Sequence, residues 1–181
     1  LDNEPSAWPR VHAEVRTHPV TYAELISTSI LYAGRVREAA PRARIFGPAL
    51  FGWPAYVRLT DAPDHGDRDF IDVYLAAMRG AGEATDRRLL DVLDVHWYPD
   101  VRIEGTSVTS SSTDEAVASA RVQLPRSLYD PTYTEPSWIA REWLFEPVRL
   151  LPRLRERIDA HYPGTDLAIT EYAYGGGTDI S

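Results

Sequence analysis

Short strand-like runs alternate with amphipathic, helix-like ones along most of this chain, and that alternation limits its fold more than any other feature. Arg44-Ile45-Phe46-Gly47-Pro48, Val92 to Tyr98 and Leu167 to Glu171 predict strands, the first closed by its Gly-Pro and the second by Pro99. Leu1 reads as the last trace of an earlier strand. Thr21 with Glu24 is a capping-box signature, and Leu25, Ile26, Ile30, Leu31, Ala33 and Val36 recur at helical spacing to about Ala40, before Pro41. A second helix is expected from about Asp69 to Glu83, with Phe70, Val73, Tyr74, Ala77 and Met78 on one face. Trp138 to Phe145 and Pro147 to Tyr162 predict helical pieces, Pro152 suiting the first turn of the latter. The order strand, helix, strand, helix, strand, insertion, helix, strand predicts an α/β fold with parallel strands. No linker divides residues 1–181, which read as a piece of a single domain.

The intervening stretches predict loops. Pro5, Pro9 and Pro19 argue against a helix after the first residues. Phe51 to Tyr56 is an aromatic, proline-containing loop, and Asp61 to Asp67 continues it in polar form. Gly105 to Thr113 is rich in Ser and Thr and reads as exposed, Asp114 to Val122 as a short helix, and Pro125 to Pro136 as loop again.

Composition excludes several function classes. The net charge is −8, every one of the 19 basic residues is arginine, and no basic cluster stands apart from acids, so no nucleic-acid partner is expected. With no cysteine there is no disulfide, thiol nucleophile or thiolate metal site. No run approaches the roughly 18 apolar residues of a membrane span. The first residue is neither Met nor the start of a charged leader, so the chain is expected to be an internal piece of a longer protein.

The polar residues of interest gather at strand ends. Asn3 and Glu4 follow the first, His96 and Tyr98 close the third, and Glu171 and Tyr172 close the fourth. In a (β/α)8 barrel the C-terminal strand ends carry the active site, and a complete barrel takes about 250 residues, so this chain would hold roughly half of one. Two carboxyl groups facing one bond are what most sugar hydrolases require, which singles out Glu4 and Glu171. Trp8, Trp53, Trp97 and Tyr174 offer flat surfaces that can stack on pyranose rings.

Asp2-Asn3-Glu4-Pro5, Ile45 to Pro48, Leu90 to Pro99, Pro125 to Tyr133 and Ile169 to Gly177 together resemble glycoside hydrolase family 44, an endoglucanase and xyloglucanase family of the clan A barrels. The resemblance implies a partial TIM (β/α)8 barrel covering roughly strands 4 to 7, with an insertion after strand 6. It implies Glu4 as acid/base, following an asparagine on strand 4, and Glu171 as nucleophile ending strand 7. Asn3, Trp8, Trp53, His96, Tyr98 and Tyr174 would bind substrate, Asn3 at a sugar 2-hydroxyl, and Tyr98 would also hold Glu171 ionised. Ala173 departs from the asparagine of the family pattern and touches no catalytic role. The implied activity is a retaining endo-β-1,4-glucanase acting on xyloglucan, cellulose derivatives or mixed-linkage glucan, with another clan A specificity such as mannanase, or a non-catalytic carbohydrate-binding relative, as alternatives. Such a protein would be bacterial, secreted and monomeric when whole, and would need no organic cofactor.

Plainer readings stand beside these. Glu4 alone could be a solvated turn residue, His96 a satisfied core histidine, Trp97 strand–helix packing and Trp53 a loop plug. Trp138 and Trp143, in a helical stretch, read as core. No histidine pair has metal-ligand spacing, and the glycines at 175–177 lack the lysine and helix of a phosphate loop. Asp61, Asp64, Asp67 and Asp69 could hold a structural calcium, although an exposed acidic loop is the better account of them.

Overall fold

In the computed structural model, which describes residues 3–175, the chain has a mixed α/β fold containing a parallel sheet. It divides into two units, Leu1–His96 with Glu156–Thr170, and Trp97–Arg155 with Glu171–Ser181. The expected strand trace at Leu1 lies outside the described residues.

The first unit opens with a 3-10 turn, Pro5–Ala7, and a short helix α1, Trp8–Val11. This corrects the expectation of a proline-broken loop. Pro5 and Pro9 lie in the first turns of their helices, where the missing N–H would have had no intrahelical acceptor. Helix α2, Tyr22–Ala39, follows. All four N–H groups of its first turn are satisfied: Asp64 accepts from Tyr22 (2.8 Å) and Ala23 (3.0 Å), the Thr21 hydroxyl from Glu24 (3.0 Å), and the Thr21 carbonyl from Leu25 (3.1 Å). Asp64 is thus a cap supplied from far along the chain, and Asp69 is engaged by Arg157 at 2.5 Å, while Asp61 and Asp67 are exposed. Asp64→Ala is expected to cost about 1–2 kcal/mol in urea unfolding of the full-length protein. Asp61→Ala should stay within about 0.5 kcal/mol.

Strand β1, Phe46–Leu50, pairs in parallel with β2, Val92–Trp97, in the register Phe46↔Val92, Gly47↔Leu93, Pro48↔Asp94 and Leu50↔Val95. The expected stop at Gly47-Pro48 is corrected: the strand runs on through a cis peptide bond to Leu50, with a register shift between Pro48 and Leu50. A bulge is one of the few places in a sheet that accommodates proline. The aromatic loop is also corrected, because Trp53–Arg58 forms helix α3 with Pro54 in its first turn. Helix α4, Phe70–Thr85, buries Phe70, Tyr74 and Met78 at four-residue spacing, and Tyr22 of α2 meets Phe70 edge-on at 4.8 Å. The Tyr22 hydroxyl reaches the Val57 and Arg68 carbonyls, and burial pushes its pKa up to about 12, so it remains a donor. Gly82 lets the chain turn back on α4, since a Cβ there would stand 2.6 Å from the Arg87 carbonyl oxygen.

The sheet order is β1-β2-β5, β5 being Asp166–Tyr172. Before β5 comes helix α6, Leu150–His161, whose Arg157 forks between Asp69 and Asp72 of the α4 start. The ion pairs hold the helix while its apolar Ile158 is buried.

The second unit contains a hairpin, β3 (Arg102–Ile103) with β4 (Thr106–Ser107), turned by Glu104 (φ 49°) and Gly105 (φ 85°). Positive φ at both turn residues matches the twist of paired strands. Helix α5, Glu115–Gln123, is capped by Asp114, whose carboxylate accepts from Ala116 and Val117. Val101, Val108 and Leu124 form a small core with Ile103, Ala120 and Tyr174 packed on it. The Ser/Thr-rich stretch does not run free. Buried Arg121 donates to the carbonyls of Val108 (2.7 Å), Ser110 (2.6 Å) and Ser112 (2.8 Å), which ties that loop down. Among the described residues no helix is long and apolar enough to cross a membrane.

Candidate active site

Glu4 is built in from both its backbone and its side chain. Its N–H donates to the Ala49 carbonyl at the end of β1 (2.9 Å), and its φ is 46°. A non-glycine residue pays on the order of 1–3 kcal/mol for such a conformation, so the surrounding structure must impose it. Pro5 then fixes the direction in which the chain leaves, as the first residue of the 3-10 turn. The Glu4 carboxylate Oε1 lies 2.8 Å from Nδ1 of His96, with the histidine ring buried and the Glu4 side chain 22% exposed.

His96 is in turn held by Tyr56 of α3, whose hydroxyl donates to the His96 carbonyl. Burial, with the Asp94 charge nearby, pushes the Tyr56 phenol well above its usual range, so it stays a neutral donor. Asp94, also on β2 and 7% exposed, accepts from the Thr170 hydroxyl at 2.6 Å. That bond fixes β5 at the residue before Glu171.

In the second unit Glu171 is exposed and accepts a hydrogen bond from the hydroxyl of half-buried Tyr98 at 2.9 Å. Tyr172 is 65% exposed, and its ring lies 6.2 Å from that of Tyr174. Tyr174 is half-buried, and its hydroxyl is buried. Burial is the main cause that pushes that hydroxyl up to about 12.

The remaining sequence candidates divide by exposure. Asn3 is exposed, and its carbonyl accepts from the Trp8 indole N–H at 3.1 Å. Trp8 is half-buried, with the Arg16 guanidinium 5.7 Å from its ring centroid. Trp53 is only 4% exposed, which corrects its assignment as a stacking surface: in the first turn of α3 its ring packs inside the first unit against Tyr56. Trp97 is fully buried, as strand alternation allows for a residue between His96 and Tyr98.

Trp138 and Trp143 are a correction in the other direction. The segment Ile139–Leu144 is a π-helical turn, wider than an α-turn. Within it Ile139 is buried while Trp143 is 41% exposed. Trp138 donates to Asp100 at 2.7 Å and meets Trp143 edge-on at 6.4 Å.

Sequence reasoning did not single out Tyr56, Asp94, Thr170 or Ala49 as supports. Each acts through a partner distant in sequence, and nothing local marks it.

The family model for glycoside hydrolase family 44 matches residues 1–101. Endoglucanase A of Paenibacillus lautus is 44% identical over 187 aligned positions, covering 100% of this chain and 27% of the relative. Beta-mannanase/endoglucanase A of Caldicellulosiruptor saccharolyticus is 39% identical, covering 100% of this chain and 15% of the relative. A xyloglucanase from Paenibacillus polymyxa, solved with xyloglucan, superposes with a TM-score of 0.91 at 41% identity over 97% of this chain and 35% of its own. The chain thus spans about a quarter or less of the length of these two curated relatives.

Proposed function

Because the chain belongs to glycoside hydrolase family 44, we propose that it forms part of the catalytic barrel of a retaining endo-β-1,4-glucanase, with Glu4 as acid/base and Glu171 as nucleophile. The observation that carries the reading is that each glutamate has a hydrogen-bonding partner at the end of strand β2: His96 for Glu4 at 2.8 Å, and Tyr98 for Glu171 at 2.9 Å. In this reading β1, β2 and β5 are barrel strands 5, 6 and 7, Leu1 ends strand 4, and the second unit contains the insertion after strand 6.

The chemistry follows from the partners. Glu171 attacks the anomeric carbon while Glu4 protonates the departing oxygen. Glu4 then takes a proton from the water that releases the glycosyl-enzyme. The His96 contact suits both states of Glu4. The protonated acid donates to an unprotonated Nδ1, and the carboxylate accepts from an Nδ1–H. The strained backbone of Glu4 and the bond its N–H donates to the Ala49 carbonyl hold the acid/base in place through both steps. The Tyr98 hydroxyl neutralises part of the Glu171 charge without protonating it. Water is the acceptor, and no organic cofactor takes part.

Xyloglucan, cellulose derivatives and mixed-linkage glucan are the substrates this reading favours. Polymers of that size do not enter a bacterial cell, so the whole protein is expected to act outside it, as a monomer. Mannan is the second reading, favoured by a relative named as both β-mannanase and endoglucanase. The test is hydrolysis of a panel of β-glucans and β-mannans by the full-length protein, with proton NMR of the first product. The β-anomer is expected from xyloglucan or carboxymethylcellulose. A first product in the α-configuration overturns retention, and cleavage of mannan alone moves the protein to the second reading.

A further inference from the structure

The second unit contains a carboxyl group that the proposed reaction does not use. Glu135 is 0% exposed, and neither of its oxygens has a hydrogen bond of good geometry. The Ser127 and Tyr174 hydroxyls are likewise buried without one. These groups belong to one neighbourhood. Val101 bridges to Ser137 in antiparallel fashion, two residues from Glu135, and Val101 belongs to the core on which Tyr174 packs. Tyr174 follows Glu171 in the same segment, and Gly175 beside it rests on the Arg121 side chain, where a Cβ would stand 3.4 Å from Cδ.

We propose that Glu135 is held as a neutral carboxylic acid and, through Tyr174, positions the Glu171–Gly175 segment that carries the nucleophile. This rests on the reading of Glu171 given above. An ionised carboxylate in so dry a place, faced only by the Ser127 and Ser137 hydroxyls and by no cation, is far costlier than a neutral acid. A neutral acid brings one O–H donor and a carbonyl acceptor to the hydroxyls of Tyr174, Ser127 and Ser137, each of which can donate or accept.

The surrounding charges point the same way. Burial raises the Glu135 pKa above its ordinary value, the Asp100 charge adds to this, and the Ser127 and Ser137 hydroxyls partly oppose it. Burial raises the Tyr133 and Tyr174 phenols, and an ionised Glu135 would raise both further, so neither tyrosine offers it a countercharge. The Arg126 guanidinium stacks on Tyr133 at 4.7 Å and is bound to Asp130 at 2.8 Å. Glu135 is a positioning residue: it acts on the reaction by keeping Tyr174, and with it Glu171, in one place.

The test uses the full-length protein with Glu135→Ala, Glu135→Gln and Tyr174→Phe. Glu135→Ala and Tyr174→Phe are expected to lower kcat about tenfold with KM within about twofold, because a shifted nucleophile harms the transition state more than substrate binding. Glu135→Gln, neutral and of the same shape, should recover most of that loss. Infrared difference spectra at neutral pH should show the carbonyl stretch of a protonated acid in the wild type, missing in Glu135→Gln. Relative to that variant, the wild type should also lose stability as pH rises above the ordinary glutamate value of 4.5, until the buried acid itself ionises. A Gln variant as slow as the Ala variant, or a wild type without the band, overturns the proposal. A wild type that hydrolyses no glycan overturns the function and the positioning role together, and the infrared band still separates a neutral from an ionised Glu135.

Discussion

Glu171→Gln is expected to lower kcat on a soluble β-glucan by about ten-thousand-fold, on the scale of removing a group that forms a covalent intermediate. Glutamine keeps the volume and can still accept from Tyr98, whose hydroxyl lies 2.9 Å from Glu171, so the loss is one of nucleophilicity rather than of fold. The companion variant Glu171→Ala opens space on the face from which the carboxylate attacks. Added azide should enter there and give an α-glycosyl azide from a substrate with a good leaving group. Initial-rate assays with and without azide, and NMR of the product, decide it. Either variant hydrolysing near the wild-type rate removes Glu171 from the mechanism.

Glu4→Gln is the second large effect and has a different signature. Loss of the acid/base should cost about a thousand-fold on natural glucans, where the departing sugar hydroxyl needs a proton. On a dinitrophenyl cello-oligosaccharide the leaving group departs unaided, so the first step should be nearly as fast as in the wild type while the second remains slow. A burst of dinitrophenolate is then expected. Azide should restore turnover and give the β-glycosyl azide, because it replaces the water that Glu4 would have activated. The opposite anomers trapped by the two variants assign the roles independently of overall rate. His96 should not be changed in the same experiment, since its ring is buried against Glu4 and its loss would confound chemistry with packing.

The elements legible in the sequence are those whose signals are local. Helices α2 and α4 were expected to within about two residues at their ends, because caps and apolar periodicity act within a turn or two. Strand β2 was marked by its apolar run and by Pro99. Helices α1 and α3 were hidden by prolines that stand in first turns, where proline does no harm. The end of β1 was misplaced because the bulge that admits Pro48 exists only once β2 lies beside it. The hairpin of β3 and β4 is too short to show alternation, and its Glu104-Gly105 turn is a weak signal outside a sheet.

The candidate site divides in the same way. Asn3-Glu4-Pro5, His96-Trp97-Tyr98 and Thr170-Glu171-Tyr172 are motifs of adjacent residues, and with the family resemblance the sequence alone determined which carboxylates to consider. Only the tertiary structure decided what holds them. The Ala49 carbonyl on the Glu4 N–H, the Nδ1 of His96 on its carboxylate, and the Tyr98 hydroxyl on Glu171 join residues as far as 92 positions apart. It also decided that Trp53 is packed away, that Trp143 is exposed and that Glu135 is dry. The reason is physical. Capping, turn chemistry and periodicity are short-range and can be read from neighbours in the chain. Burial and hydrogen-bond geometry depend on which distant segments meet, and no local pattern of residues encodes that.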